Sequence, residues 1–448
     1  MLYIIIAVIA ALFSGHMFSK YGASLSLYKL NMMSWSYYIA FIAYSLIGAV
    51  LVVNQWDGDF VNQSISNPAS RETGYWAVVW TVVAFPFGMI LSNRIFRRKN
   101  VPKYFDAYIK QPIYKERNES GMMLALILAS VVDILLVAYV FACYGTIPII
   151  ELIKNPNIDV SMVRYETSRD FSGSYSLKTI ATILTPLLSY ASIIYLKRKK
   201  NLFVILWASF MFILALCMSA STFEKSSVFL FLVSYLFLFV YVRGRITKMQ
   251  LLIGATVAIL VLFVSFMMLA SATSEFMTIG ELAEMIGQRI FVVQIESTFL
   301  HFDNFPNHID FIGFKSLFSP GMSQMLGLDH VDVSAKQMMD MFNSSDTAGV
   351  RNSLFISEAY ANFGWVGVFL SPFYVGFVVQ TIFTFLLYSK KTPYMVALLT
   401  YFSIHNHLTQ GVNYYIFSEE IIWIIFISIG LYICASFFQG LNNKQYQR

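Results

Sequence analysis

Runs of about 20 apolar residues recur from one end of the chain to the other, separated by short polar links. A bilayer core is about 30 Å thick and takes about 20 apolar residues per helical crossing, so the pattern predicts membrane spans. About 11 spans fall near 2–18, 36–53, 75–92, 120–143, 177–196, 202–221, 227–242, 251–272, 365–388, 393–411 and 420–440. The expected fold class is therefore an all-α polytopic membrane protein. Three units follow: an N-terminal helix bundle over 1–271 that carries a medium loop at 146–175, a large loop over 272–364, and C-terminal helices with a short tail over 365–448.

The links alternate in sign. RIFRRK (Arg94–Lys99), KRKK (Lys197–Lys200), RGRITK (Arg243–Lys248) and KK (Lys390–Lys391) are basic. Lys and Arg mark the cytoplasmic side of short loops. Placing these links inside puts 21 of the 31 Lys and Arg there. The C-terminus is then inside, the odd span count puts the N-terminus outside, and both longer loops face out. At 57% hydrophobic and 12% charged residues, against about 25% charged in soluble domains, the chain lacks the polar surface of a water-soluble body. The net charge of +6 does not mark a nucleic-acid binder, because the basic residues lie in the links. Cys143, Cys217 and Cys434 are scattered in apolar runs, without disulfide-framework or zinc spacing.

The large loop carries helical periodicity. Apolar residues recur at helical spacing over Phe276–Phe302, which predicts amphipathic helices on the membrane face. Asp332–Phe342 is a second short helix, and Phe318–Gly327 a turn followed by a short segment.

Few cations face out, so each can be weighed. Arg binds phosphate with two parallel hydrogen bonds; the competing role is an ion pair with one of the many outside carboxylates. Lys225, in STFEKSSVF between two apolar runs, is either a functional charge at membrane depth or an interface partner of Glu224. Arg289 stands in an otherwise apolar stretch. Arg351 precedes the ninth span, and Glu358 follows seven residues later. On one helix these two would share a face, giving an acid–base pair or a plain salt bridge. Arg164 and Arg169 sit in the medium loop beside Glu166 and Asp170, with Tyr165 able to stack on a sugar or sit in an interfacial belt. His301, near Arg289 and Glu296, is a weaker acid–base candidate. His405 and His407 form an H-N-H in the tenth span; two residues apart on a helix they point to different faces, which is poor metal spacing. Asp133 is the one acid in mid-span, suiting a structural hydrogen bond or a proton relay. No phosphate-binding glycine loop, nucleophile elbow or H-E-x-x-H occurs.

RNSLFISEAYANFGWVGVFLSP (Arg351–Pro372), together with GQRIFVVQ, PNHIDFIGFKSLF and the many-span layout with two outside loops, resembles the Wzy-type O-antigen polymerases of bacterial inner membranes. The resemblance implies a metal-independent glycosyltransferase of the inner membrane, with no cofactor and its active site facing the periplasm. Its substrate would be an undecaprenyl-diphosphate-linked oligosaccharide: the growing glycan leaves its carrier for the next lipid-linked repeat unit. A chain-length regulator protein is an implied partner; nucleic acid is not. Arg289 and Arg351 match the family's diphosphate-holding arginines, Glu358 and then His301 would take the acceptor proton, and Lys225, Arg164, Arg169, Tyr165 and Tyr360 would line the diphosphate and sugar path. The interval from Arg351 to Gly364 is longer than the family's pattern. O-antigen ligases are similar but carry a loop histidine near an arginine, so a ligase is one alternative. A lipid-linked oligosaccharide flippase is the other, although no related halves are visible.

Overall fold

The structure is a computed structural model that describes residues 1–65, 67–116, 118–144, 154, 171–221, 225–254, 256, 279–342 and 351–445. Among these residues the chain is helical and contains no strand. Its longer helices are α1 (Leu2–Met17), α2 (Met32–Val53), α4 (Pro68–Ile95), α6 (Glu119–Cys143), α7 (Tyr175–Arg198), α8 (Leu202–Ser219), α9 (Lys225–Arg243), α14 (Phe355–Tyr388) and α16 (Glu419–Gln445). Short helices α3 (Phe60–Ser64) and α5 (Val101–Lys110) flank α4. The large loop supplies α10 (Ile279–Gly287), α11 (Glu296–Asn304), α12 (Pro320–Leu326) and α13 (Val333–Phe342), and α15 (Pro393–Ile404) precedes α16.

Nine helices among the described residues are long and apolar enough to cross a membrane. The chain is thus a helical, multi-pass membrane protein. The expected span at 251–272 lies almost wholly outside the described residues. The expected span at 393–411 is corrected: its helix stops at Ile404, and His405–Ser418 is irregular apart from one 3-10 turn. Twelve residues of helix rise only about 18 Å, well short of a bilayer core.

Caps and close contacts set the remaining geometry. Asn31 caps α2, its side-chain oxygen accepting from the backbone of Met33 and Ser34. Helices α4 and α14 run side by side in the same direction. Gly88 and Gly376 sit in their seam, where a Cβ would collide with the opposite backbone at the carbonyls of Phe373 and Phe85. Small residues at such seams let helix backbones approach closely. Within α14 the backbone breaks at Gly364, with φ 58° and ψ −143°, a conformation that suits glycine alone. The chain turns so sharply there that a Cβ on Gly367 would meet the Ala359 carbonyl. Phe355–Phe363 is therefore a separate short arm that precedes the crossing helix.

The charges sort to two ends. At one end Lys29 pairs with Asp106 at 2.7 Å and Arg198 with Glu119 at 3.2 Å. There Lys391 Nζ donates to the carbonyls of Tyr108, Ile109 and Gln111 that close α5, and Arg98 lies over the Tyr388 ring. The basic links thus converge on one face. The segment between α2 and α4, the described large loop and the starts of α7 and α16 meet at the other.

Candidate functional site

The charged centre of the loop-bearing end is built by three distant stretches. The first is the segment after α2. Asp57 there forms a two-point ion pair with Arg71 of α4, at 2.7 and 2.9 Å. Arg71 also donates to the carbonyls of Val52 and Asn62, so this arginine ties the segment down. Asp59 caps α3 by accepting from Val61 N through Oδ1, which turns Oδ2 toward Arg351.

The second stretch is the start of α11. Glu296 is fully buried there, although it opens a helix in a loop. The third is the extended chain Arg351–Leu354, laid against α11 and α13. Ser334 Oγ accepts from Arg351 N and donates to Arg351 O, Thr298 Oγ1 accepts from Leu354 N, and Asn352 Nδ2 donates to Gln294 Oε1. These bonds fix the backbone and leave the Arg351 side chain to reach across.

Arg351 Nη1 donates to Glu296 Oε1 at 3.0 Å and to Asp59 Oδ2 at 3.4 Å, and the guanidinium lies 5.1 Å from the centre of the Phe60 ring. Two carboxylates therefore share one guanidinium nitrogen. The other Glu296 oxygen, Oε2, is buried without a hydrogen-bond partner among the described residues. A buried, unpartnered carboxylate oxygen is costly as an anion. Burial accordingly pushes the Glu296 carboxyl up to about 8, against the pull of Arg351 and with a further push from Asp59. Arg289 is exposed on the wide helical turn Gln288–Val292 and also draws the Glu296 proton off. The arrangement can hold a proton on a carboxyl near neutral pH, beside two cations, at the end of an apolar bundle.

Arg289 and Arg351 thus flank one centre. Glu358 does not join them. The shared helical face expected for Arg351 and Glu358 is corrected, because the helix begins at Phe355 and Arg351 lies before it in extended chain. Glu358 turns into the bundle, where its Oε2 accepts from Asn413 N at 3.0 Å and would touch a Cβ on Gly411. It braces the irregular segment after α15. His301 is buried, its Nδ1 2.5 Å from Ser297 O and its ring stacked on Phe305. Burial drives it down to about 4, so it stays neutral within the fold. Tyr360 gives its hydroxyl to Phe305 O at 3.0 Å and packs on Phe302. Lys225 starts α9, and its side chain lies outside the described residues, as do Arg164, Tyr165 and Arg169.

His405 and His407 share no helix, because both lie beyond the end of α15 at Ile404, with ring centres 6.2 Å apart. Asp133 accepts from Thr185 Oγ1 at 2.9 Å inside the bundle. Among the described residues no group of three or more His, Cys, Asp or Glu is arranged to hold a metal ion.

Asp59 and Glu296 are the residues that local pattern missed. Each carries a faint signal: Asp59 precedes a short helix as an N-cap, and Glu296 is an acid in an apolar stretch. No protein-family model matches this chain, and no curated protein or solved structure matches it either.

Proposed function

We propose that the protein is a membrane glycosyltransferase that polymerises lipid-linked oligosaccharide repeat units, with its reactive centre at Glu296, Arg351, Asp59 and Arg289. The observation that carries this reading is the Glu296 carboxyl, buried with one unpartnered oxygen and held against Arg351 at 3.0 Å. By the positive-inside rule this end faces away from the cytoplasm, where lipid-linked repeat units are presented.

The chemistry needs two things. An acceptor hydroxyl must lose its proton as its oxygen attacks the anomeric carbon, and the lipid diphosphate must leave as an anion. A carboxyl that titrates near the working pH is suited to the first task. Preorganised cations are suited to the second. The two tasks are linked in this site. When Glu296 carries its proton, the Arg351 charge is no longer cancelled by that carboxylate and is available to a diphosphate. When the diphosphate departs, Glu296 can ionise again against Arg351. Arg289, exposed beside them, supplies a second cation. His301, neutral and packed away from this centre, does not favour the ligase alternative.

The test is direct. Purified protein in lipid nanodiscs is given a defined undecaprenyl-diphosphate-linked repeat unit, and the products are resolved by size. A ladder of polymers is expected, and it should vanish in Arg351→Ala. Transfer only onto a lipid core, or no new glycosidic bond, overturns the reading.

A further inference from the structure

The irregular segment His405–Ser418 is a second charged feature, separate from the Arg351 centre. Non-helical backbone within a membrane bundle persists only where protein or a water-filled cavity surrounds it. Here it lines a partly open cavity of about 10 Å³, close to the least space that holds one water. Met32, Val379, Ile382 and Phe402 give that cavity apolar walls.

His407 is the centre of this segment. It sits in the left-handed region, at φ 52°, which a non-glycine residue adopts only under constraint. Its ring stacks on Tyr414, with ring centres 4.2 Å apart. Nε2 lies 2.5 Å from Glu420 Oε2 of α16, and Nδ1 lies 2.6 Å from Gln410 Oε1. With Glu420 Oε2 at one nitrogen and Gln410 Oε1 at the other, the ring is placed to donate from both nitrogens, as the doubly protonated cation does.

The other groups around it are accounted for. His405 stands with its ring centre 6.2 Å away and stacks on Tyr401 of α15. Tyr401 and Tyr415 face Glu420, and Tyr190 of α7 lies behind Tyr401. Glu419 turns the other way, accepting from Ser176, Ser319 and Trp423. Glu358 of α14 is engaged by Asn413. No Lys or Arg lines the cavity among the described residues.

A chain of bonds leads from this ring to Arg351. Gln410 meets the ring through its side chain and returns its backbone N–H to His407 O at 3.1 Å. The Gln410 carbonyl accepts from Ser353 Oγ at 3.4 Å, and the Leu408 carbonyl accepts from Phe355 N at 3.1 Å. Ser353 is two residues from Arg351. When the proton leaves Nδ1, the Gln410 amide must turn its NH₂ to the bare nitrogen, which disturbs the residue that holds Ser353.

We propose that His407, clamped between Glu420 and Gln410 in the break between α15 and α16, is a proton-binding site that sets the position of the Arg351–Leu354 segment. Burial opposes the charge on His407, but the attraction of Glu420 together with the hydrogen bonds to Glu420 and Gln410 holds its proton above the usual histidine range. The clamp is therefore complete below about pH 6.5 and is lost as pH rises through the higher folded value. The proposal goes beyond glycosyl transfer, and its readout is the mobility of a segment, not turnover.

The experiment places a nitroxide at Asn352→Cys, an exposed position, with Cys143, Cys217 and Cys434 changed to Ala. Glu296→Gln is included so that the nearer titrating carboxyl is absent. Electron paramagnetic resonance spectra are taken in nanodiscs at about pH 6 and about pH 9. The mobile fraction should rise about twofold or more between them, and adding His407→Gln should remove that pH response. An unchanged fraction, or a response that survives His407→Gln, overturns the proposal. Should His407→Gln not insert, the ring ¹⁵N signals of the native histidines decide. One histidine must change from two N–H groups to one over the same pH range as the label, and a mismatch overturns the proposal as well.

Discussion

Arg71 and Arg351 stand at the same end of the bundle and both meet aspartate, yet they are used in opposite ways. Arg71 has one carboxylate to itself, in a two-point pair, and donates to backbone carbonyls as well. Its charge and its geometry are consumed in holding the segment between α2 and α4. The Arg351 guanidinium hydrogen-bonds to described partners through Nη1, a nitrogen shared between Glu296 and Asp59, and otherwise faces the Phe60 ring. A guanidinium split between two carboxylates cannot keep both ionised in a poorly solvated site, so one of them holds a proton. Saturation makes a structural arginine, whereas shared and incomplete pairing leaves a group that can do chemistry.

Five substitutions break or sharpen that contrast, in falling order of effect. Glu296→Gln should lower the rate of polymer formation by about 10²–10⁴-fold, the usual worth of a positioned acid–base group, with membrane insertion unchanged and folded stability not lowered. Equal loss of folded protein would make Glu296 structural. Arg71→Ala should cost about 3–5 kcal/mol, because Asp57 is left with an uncompensated charge. Arg351→Ala should cost only about 1 kcal/mol at pH 7, since Glu296, at about 8, already holds its proton there and leaves no uncompensated buried charge. Denaturant unfolding in detergent compares the two, and similar losses would erase the distinction.

Proton linkage sharpens it further. The folded value of Glu296 lies above its unfolded one, so its contribution to stability is full below about pH 4.3 and is lost as pH rises through about 8. Wild-type stability should fall across that window more steeply than that of Glu296→Gln. Arg351→Ala should move the Glu296 midpoint up and Asp59→Asn should move it down, each by about one unit, as read from the carboxyl infrared band. Smallest is Arg289→Ala, which should raise KM about tenfold with little change in kcat. A fall in kcat instead would place Arg289 at the transition state.

The sequence made some of this legible and hid the rest for physical reasons. Hydropathy marks α1, α6 and α8 because a lipid-facing helix must be apolar nearly all round. Basic links mark the other end because charge placement there is local. Arg289 and Arg351 stood out as cations in apolar surroundings. Their partners did not, since Asp59 and Arg351 are 292 residues apart and only tertiary folding joins them. The mistaken Arg351–Glu358 face arose from running helical spacing through Leu354, whose extended backbone starts the helix later. The half-span α15 was hidden because the apolar run Pro393–Ile404 passes into His405–Ser418, a polar stretch that carries no Lys, Arg, Asp or Glu to mark where a span ends. Its break is held by buried pairings such as His407 with Glu420, which hydropathy does not register.

The most direct measurement is the rate of glycosidic bond formation by wild type and Glu296→Gln, from a lipid-linked repeat unit, between about pH 5 and pH 9. The wild-type rate should climb with a midpoint near pH 8, and the variant should show neither the climb nor appreciable product. A variant that polymerises at the wild-type rate, with the same pH dependence, would contradict a reactive carboxyl at this site.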